Sequence, residues 1–234
     1  MLSTLVELKK YSILNYIFGF IFLNCIIGEY YNLQTLVLLV KPFITLSLAV
    51  ALWAYTKLKG KFHKRIFIGL ILSLTGDCLL MLSHERLFLY GLLAFFLCHS
   101  SYVRAFYLDF RSAPELDKKN ARITVIIGAM MCTSFFFFIR PYLGNMRVPV
   151  LAYCLVITFM GMMAAFRNKR VNKTSFQLIM IGALFFYLSD FLLVVNRFVN
   201  PFERAHVVII STYMLAQYFI VIGAIDRRLL INNN

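Results

Sequence analysis

Eight apolar runs, separated by short polar clusters, dominate the pattern along the chain. Their limits are 11–28, 34–56, 65–82, 87–107, 121–139, 147–166, 174–195 and 206–225. Each run is close to the ~20 residues that an α-helix needs to cross the hydrocarbon core of a bilayer. The pattern predicts an all-α, polytopic membrane protein with eight transmembrane helices. The first run lacks the small-residue cleavage pattern of a signal peptide, so we expect it to be retained as a span.

Lysine and arginine residues are dense in every second loop. If successive loops lie on opposite sides of the membrane, one side receives 18 basic residues and the other five, while Lys41 lies inside the second run. The larger group is Lys9, Lys10, Lys57, Lys59, Lys61, Lys64, Arg65, Arg104, Arg111, Lys118, Lys119, Arg122, Arg167, Lys169, Arg170, Lys173, Arg227 and Arg228. The smaller group is Arg86, Arg140, Arg147, Arg197 and Arg204. Because cytoplasmic loops carry the excess of Lys and Arg, both termini are predicted to be cytoplasmic.

Composition excludes several classes of protein. Of the 234 residues, 61% are hydrophobic and 15% are charged, against about 45–50% and about 25% in soluble domains. A water-soluble enzyme, a disordered chain and a disulfide-stapled secreted module are therefore excluded, and residues 1–234 are expected to form a single integral-membrane domain. The net charge of +14 follows from the basic loops. No interleaving of aromatic and basic residues accompanies it, so we expect membrane lipid and not nucleic acid as a partner.

Two short segments resemble each other, which suggests an internal duplication. The sequence GDCLLM at 76–81 lies in the third run, and SDFLLV at 189–194 lies in the seventh. Four spans separate them, so two four-helix halves would have the same orientation, as in parallel repeats. An unduplicated bundle is the alternative.

Three ionisable side chains lie well inside apolar runs, namely Asp77, Asp190 and Lys41. A charge in hydrocarbon costs ~2.5–3.5 kcal/mol on insertion scales, so such residues indicate a functional site. At a rise of ~1.5 Å per residue, all three lie ~9–12 Å below the outer ends of their helices. The other polar side chains at depth are His99, Tyr102, Tyr213 and Gln217. The matching depths predict one polar cavity, open to the non-cytoplasmic side, with His99 near its floor.

Small residues and a proline accompany these polar groups. Gly76 directly precedes Asp77, and Gly182 lies two turns before Asp190, so neighbouring helices or a ligand would approach closely there. Pro42 follows Lys41, where it can kink the second span and free a backbone carbonyl to face a cavity.

Each of these residues also has a purely structural interpretation. An intramembrane Asp can anchor helices by hydrogen bonds, Lys41 can simply neutralise one Asp, and His99 and the tyrosines can be packing groups. The combination at one depth favours a site. The helical His and carboxylate spacings of known metal sites are absent, so we expect neither a metal nor a cofactor.

At these positions the sequence resembles the YhhN-like lysoplasmalogenase family of eight-span membrane proteins. The resemblance covers spans two to eight and rests on the order and spacing of several elements. They are Lys41-Pro42, Gly76-Asp77, Gly91, Phe95, His99, Tyr102, GALFFYLSD (182–190) and YMLAQY (213–218). The resemblance implies hydrolysis of the vinyl ether bond of a lysophospholipid, a lysoplasmalogen, to a fatty aldehyde and glycerophosphoethanolamine or glycerophosphocholine.

Vinyl ether cleavage needs a general acid, an anion to stabilise an oxocarbenium ion, and a base for water. Paired carboxylates do similar work in glycosidases, so we take Asp77 and Asp190 as the candidate catalytic residues. The candidate substrate-binding or supporting residues are Lys41, His99, Tyr102, Tyr213 and Gln217. Because sequential helices are usually neighbours, Lys41 is expected beside Asp77. An adjacent ammonium favours Asp77 as the ionised base or cation stabiliser, with Asp190 as the protonated acid.

Two other classes of function remain as alternatives. A proton-coupled transporter or lipid-handling protein would use Asp77, Asp190 and His99 as a proton relay. A non-catalytic lipid-binding protein would need the same residues for stability only. For all three functions the expected location is a bacterial inner membrane.

Overall fold

The computed structural model describes residues 11–82, 85–112 and 118–230, and within these residues the protein is all-α. The helices are α1 (Ser12–Tyr30), α2 (Gln34–Thr56), α3 (Gly60–Met81), α4 (Glu85–Arg111), α5 (Lys118–Ile139), α6 (Arg147–Ala165), α7 (Lys173–Val194) and α8 (Ala205–Ile225). Each predicted run therefore coincides with one helix. Two 3₁₀ turns, Arg140–Tyr142 and Gly144–Met146, connect α5 to α6, and a π-helical turn, Val195–Val199, extends α7.

Seven of these helices are long and apolar enough to cross a membrane, so the described chain is an integral membrane protein by its helices. The exception is α3. Every 18-residue stretch of α3 contains Lys64, Arg65 and Asp77, and three charges make it too polar for this assignment. Seven of the eight predicted spans are thus confirmed as helices that are long and apolar enough to cross a membrane. The eighth, α3, is confirmed as a helix but not as a span.

Glycines allow close contacts between successive helices, including the two helices that carry Asp77 and Asp190. A Cβ added to Gly76 of α3 would lie 2.7 Å from the ring of Phe95 on α4. A Cβ added to Gly182 of α7 would lie 2.8 Å from the backbone oxygen of Ala216 on α8. Real Cβ atoms do not approach so closely, because packed atoms repel steeply at this distance. The close approach predicted at Gly76 and Gly182 is confirmed, and it joins each carboxylate-bearing helix to its successor.

Pro42 lies inside α2, which is helical without interruption from Gln34 to Thr56. Proline has no backbone N–H, so the carbonyl of Leu38 lacks its usual helical donor. Leu38 lines one of the cavities described below.

A buried ionic cluster joins four helices at one end of the bundle. The carboxylate of Asp109, at the end of α4, accepts hydrogen bonds from Arg167, 2.8 Å from its Nε, and from Arg227, 2.7 Å from its Nε. Arg167 also donates to Ser175 Oγ at 2.9 Å, and Ser175 donates to the carbonyl of Gly223 at 2.6 Å. The side chains of Asp109 and Arg167 are completely buried. Burial holds the pKa of the Arg167 guanidinium below its usual value, although the adjacent Asp109 opposes this shift. The sequence pattern marks Arg167 only as a flanking loop charge, whereas the fold buries it.

Candidate functional site

Asp77 is held by hydroxyl groups from two other helices. Its carboxylate is 3% exposed, and its Oδ2 accepts hydrogen bonds from Tyr213 of α8 at 2.5 Å and from Thr45 of α2 at 3.2 Å. Tyr213 and Thr45 are themselves 3.2 Å apart. Asp77 therefore lies where α2, α3 and α8 meet.

A chain of hydrogen bonds leads from Asp77 to α4. The hydroxyl of Ser73 lies 2.7 Å from that of Tyr213, and Gln217 Nε2 donates to Ser73 Oγ at 2.7 Å. At the far end, the hydroxyl of Tyr102 donates to Gln217 Oε1 at 2.8 Å. Because an amide has both a donor and an acceptor, one consistent direction of donation runs from Tyr102 to the carboxylate. The chain ends on the carboxyl group of Asp77, which accepts the hydrogen bond from Tyr213.

Asp190 belongs to a second hydrogen-bonded group with His99 and Tyr153. Its Oδ2 accepts a hydrogen bond from Tyr153 of α6 at 2.7 Å and lies 3.3 Å from His99 Nε2. His99 Nε2 also lies 2.9 Å from the hydroxyl of Tyr153. His99 is completely buried, and its Nδ1 has no hydrogen-bond partner within the described residues. The side chain of Asp190 is 13% exposed.

Aromatic rings lie between the two groups. The ring of Phe186 packs edge-on against His99 at 4.5 Å and against Tyr213 at 5.6 Å between centroids. Phe95 contacts both Phe186 and Tyr213. The sequence predicts a single polar cavity for both carboxylates, and the structure instead divides their hydrogen-bond partners between two groups with an apolar partition.

Two adjoining cavities open at the end of the bundle opposite the Asp109 cluster. The larger has a volume of about 780 Å³ and the smaller about 360 Å³. Both are lined by Glu29, Asn32, Leu80 and His206. Leu80 follows Asp77 by three residues, so the cavity wall lies within one helical turn of that carboxylate.

Two arginines of the larger cavity are held against aromatic rings. The guanidinium of Arg197 lies 4.9 Å from the ring centroid of Phe88, and that of Arg204 lies 4.5 Å from the centroid of Tyr30. A cation over a ring face is attracted by the ring quadrupole, which fixes these flexible side chains at the cavity.

Lys41 lines the smaller cavity and is half-buried. It makes no ion pair within 4.0 Å among the residues that the structure describes. Thr45, one helical turn further along α2, is the residue of that helix that contacts Asp77. Lys41 therefore faces the cavity, while the direct partners of Asp77 are hydroxyl groups.

Of the seven predicted site residues, four form the chain at Asp77, two form the group at Asp190, and Lys41 lines the cavity. The sequence reasoning missed Thr45, Ser73 and Tyr153. Helical spacing could have indicated two of them, since Thr45 follows Lys41 by four residues and Ser73 precedes Asp77 by four. Tyr153 has no such polar neighbour on α6. In the described part of the chain, no group of three His, Cys, Asp or Glu side chains is placed to hold a metal ion.

Comparison with known proteins identifies similar chains. The model of the YhhN family matches residues 36–224. The chain is 31% identical over 167 residues to lysoplasmalogenase TMEM86A of Homo sapiens, and the alignment covers 70% of this chain and 66% of the relative. It is 27% identical over 191 residues to a lysoplasmalogenase of Mycobacterium tuberculosis, and that alignment covers 79% of this chain and 70% of the relative. The matched segment thus spans just under two thirds of the human relative. No solved structure gives a significant match.

Proposed function

Because the chain belongs to the YhhN family, we propose that it is a membrane-embedded lysoplasmalogenase. It hydrolyses the vinyl ether bond of a lysoplasmalogen to a fatty aldehyde and glycerophosphoethanolamine or glycerophosphocholine. The observation that carries this proposal is the pair of intramembrane carboxylates, each held by a tyrosine hydroxyl, in a chain similar to proteins named lysoplasmalogenase.

The reaction consumes one water and needs no oxidant or reductant. Protonation of the distal alkene carbon gives an oxocarbenium ion, and water adds to the carbon bonded to oxygen. Loss of one proton from the added water gives a hemiacetal and returns the proton used in the first step. The hemiacetal hydroxyl then gives its proton to the glycerol oxygen as the carbon–oxygen bond breaks, which releases the aldehyde and the glycerol hydroxyl. A positioned acid or base typically contributes ~10²–10⁴-fold to such a rate.

Asp190 is the general acid in this proposal. Its described contacts, from Tyr153 and His99, engage Oδ2, which leaves Oδ1 to carry the proton. Its side chain is the more exposed of the two carboxylates, as delivery of a proton to a lipid requires. The unpartnered Nδ1 of His99 can accept a hydrogen bond from the attacking water.

Asp77 is the ionised partner, which stabilises the cation or accepts a proton from water. Tyr213 and Thr45 both donate hydrogen bonds to its Oδ2, and a carboxylate oxygen can accept two such donors. The two aspartates thus have different surroundings, which is how a pair of carboxyl groups divides acid and base work.

The topology in this proposal has eight spans, with α3 as the most polar of them, and both termini in the cytoplasm of a bacterium. The basic residues of alternate loops support this orientation. Reporter fusions to each loop test it, and an odd number of crossings would contradict it.

Product analysis with the purified protein tests the reaction. We expect aldehyde from a vinyl ether lysolipid and none from its saturated ether analogue, because only the alkene can be protonated to an oxocarbenium ion. Cleavage of the acyl analogue alone would indicate a lysophospholipase and contradict the proposal.

The variants Asp77→Asn and Asp190→Asn test the roles of the carboxylates. Each should lose most aldehyde release while remaining folded, since Asn keeps the shape and removes the titratable group. Near-native turnover in either variant would remove that residue from the mechanism. Flux in liposomes that depends on a proton gradient, without bond cleavage, would favour the transporter instead.

A further inference from the structure

Glu29 and Lys41 line the same cavity of about 360 Å³ and carry opposite charges. Both side chains are half-buried, Glu29 at the end of α1 and Lys41 in the second turn of α2. Neither makes an ion pair or a side-chain hydrogen bond with another described residue. Two opposite charges that share a cavity without pairing leave room for a ligand between them.

A ligand that satisfies both groups must itself carry both charges. A cation alone would leave Lys41 unpaired, and an anion alone would leave Glu29 unpaired. Leaving a partly buried charge unpaired is costly, so the cavity favours a zwitterion with an anionic and a cationic end.

From this arrangement we infer that the cavity recognises a zwitterionic phospholipid head group, with the phosphate at Lys41 and the ammonium at Glu29. The inference rests on the proposed function, which already includes these head groups, and adds the two residues that recognise them. Lys donates charge-assisted hydrogen bonds to phosphate, and an ammonium donates them to a carboxylate. Such hydrogen bonds are about twice as strong as neutral ones.

The position of Lys41 matches the geometry of the substrate. In a lysoplasmalogen the phosphate and the vinyl ether oxygen lie at opposite ends of the three-carbon glycerol. Thr45 lies about one helical turn, ~5.4 Å, further along α2 than Lys41, and it contacts Asp77. A phosphate at Lys41 therefore lies about one helical turn from Thr45, which donates to Asp77.

Glu29 lies on the other side, at the mouth of the bundle. It lines both cavities, so the ammonium of the head group points away from the reacting bond and toward solvent. This placement makes Glu29 a specificity residue that does not take part in the chemistry.

The test compares two vinyl ether lysolipids with the purified full-length protein. One carries phosphoethanolamine, and the other carries phosphoglycerol, which has the phosphate and lacks the ammonium. The measured quantity is the ratio of kcat/KM for the two lipids. Glu29→Gln should reduce the preference for ethanolamine about tenfold, which corresponds to about 1.4 kcal/mol, and Glu29→Asp should retain it.

Glu203→Gln is the matched control. Glu203 lines the larger cavity only and lies 3.5 Å from Arg204 with its side chain 88% exposed, so the ratio should not change. Lys41→Gln should raise KM for both lipids, since both carry phosphate. Lys41→Arg keeps the positive charge and should keep KM near its native value.

The possible results distinguish failure of the head-group assignment from failure of the proposed hydrolase function. If the native protein cleaves neither lipid, the proposed function fails. If it cleaves both and Glu29→Gln keeps the native ratio, the head-group assignment is overturned and the hydrolase stands. An unchanged KM in Lys41→Gln overturns the phosphate site in the same way.

Discussion

Tyr213 donates a hydrogen bond to the carboxylate of Asp77, which joins α8 to α3 across 136 positions of the sequence. The same phenol oxygen lies 2.7 Å from Ser73 Oγ and 3.2 Å from Thr45 Oγ1. Tyr213 is thus the residue through which the chain from Tyr102 reaches the carboxylate.

Replacing Tyr213 by Phe should lower kcat at least tenfold, with a smaller effect on KM. The substitution removes a donor to Asp77 and leaves the Ser73 hydroxyl without its partner, and an unsatisfied buried polar group costs about 1–3 kcal/mol. We therefore also expect a lower melting temperature in detergent. Steady-state kinetics and thermal unfolding measure both effects.

Tyr218→Phe is the control for this variant, because Tyr218 is on the same helix and donates to Asn15 at 2.6 Å, away from the carboxylates. It should change stability without a comparable loss of kcat. Equal kcat losses in the two variants would show that Tyr213 acts only through the fold.

Replacing Tyr153 by Phe should lower kcat because it removes the donor to Asp190 Oδ2 and a partner of His99. Steady-state kinetics with a vinyl ether lysolipid measures the loss.

Tyr187→Phe is the comparison for Tyr153. Tyr187 lies on α7, one turn before Asp190, and donates to the carbonyl of Met131 at 3.2 Å. Its replacement should leave kcat near the native value. If Tyr153→Phe loses no more activity than Tyr187→Phe, the hydrogen bond from Tyr153 to Asp190 does not contribute to turnover.

Replacing Gly69 by Ala should disturb the far end of the chain of hydrogen bonds. A Cβ there would lie 2.2 Å from Cε1 of Tyr102, whose side chain is completely buried and has no room to move away. Overpacking of this kind costs about 1–3 kcal/mol. We expect a lower melting temperature and a loss of activity, as Tyr102 is pushed from Gln217.

Gly161→Ala is the matched change, since a Cβ at Gly161 meets nothing within 4 Å. Alanine favours a helix over glycine by about 1 kcal/mol, so this variant should be as stable as the native protein or more so. If both glycine variants behave alike, the close approach of α3 to Tyr102 does not matter for stability.

Replacing Asp109 by Asn should destabilise the protein more than any surface charge substitution. It leaves the buried Arg167 and the adjacent Arg227 without a counter-charge, and breaking one partner of a buried pair costs about 3–5 kcal/mol. Thermal unfolding in detergent measures the loss. The exposed pair of Glu203 and Arg204 is the control, because a surface pair contributes only about 0–1 kcal/mol.

Hydrophobic patterning alone located all eight helices within a few residues. A long apolar run in a membrane must satisfy its backbone hydrogen bonds within the segment, and a helix does so. The predicted and observed helix ends differ most where charged residues flank an apolar run. The run predicted to begin at residue 65 begins as α3 at Gly60, since the basic residues before it continue the helix. Those charges also make α3 the one helix among the described residues that is too polar to be assigned as a span.

The candidate residues at depth could be chosen from the sequence because a charge or a hydrogen-bonding group in an apolar run is costly unless it is used. Their partners could not. Tyr153 looks like an ordinary aromatic residue of α6 until the fold places its hydroxyl 2.7 Å from Asp190. Arg167 looks like a loop charge until the fold buries it against Asp109.

The sequence by itself determined the class of the molecule and the order of its helices, because both follow from the local cost of polar groups in hydrocarbon. The same cost made Asp77 and Asp190 the candidate residues, while the family resemblance came from the order and spacing of several motifs. Only the tertiary structure decided that Asp77 and Asp190 have separate partners, that Phe186 lies between the two groups, and that Glu29 shares a cavity with Lys41. These relationships depend on which helix faces meet, and the pattern of apolar and polar residues within one helix does not specify that.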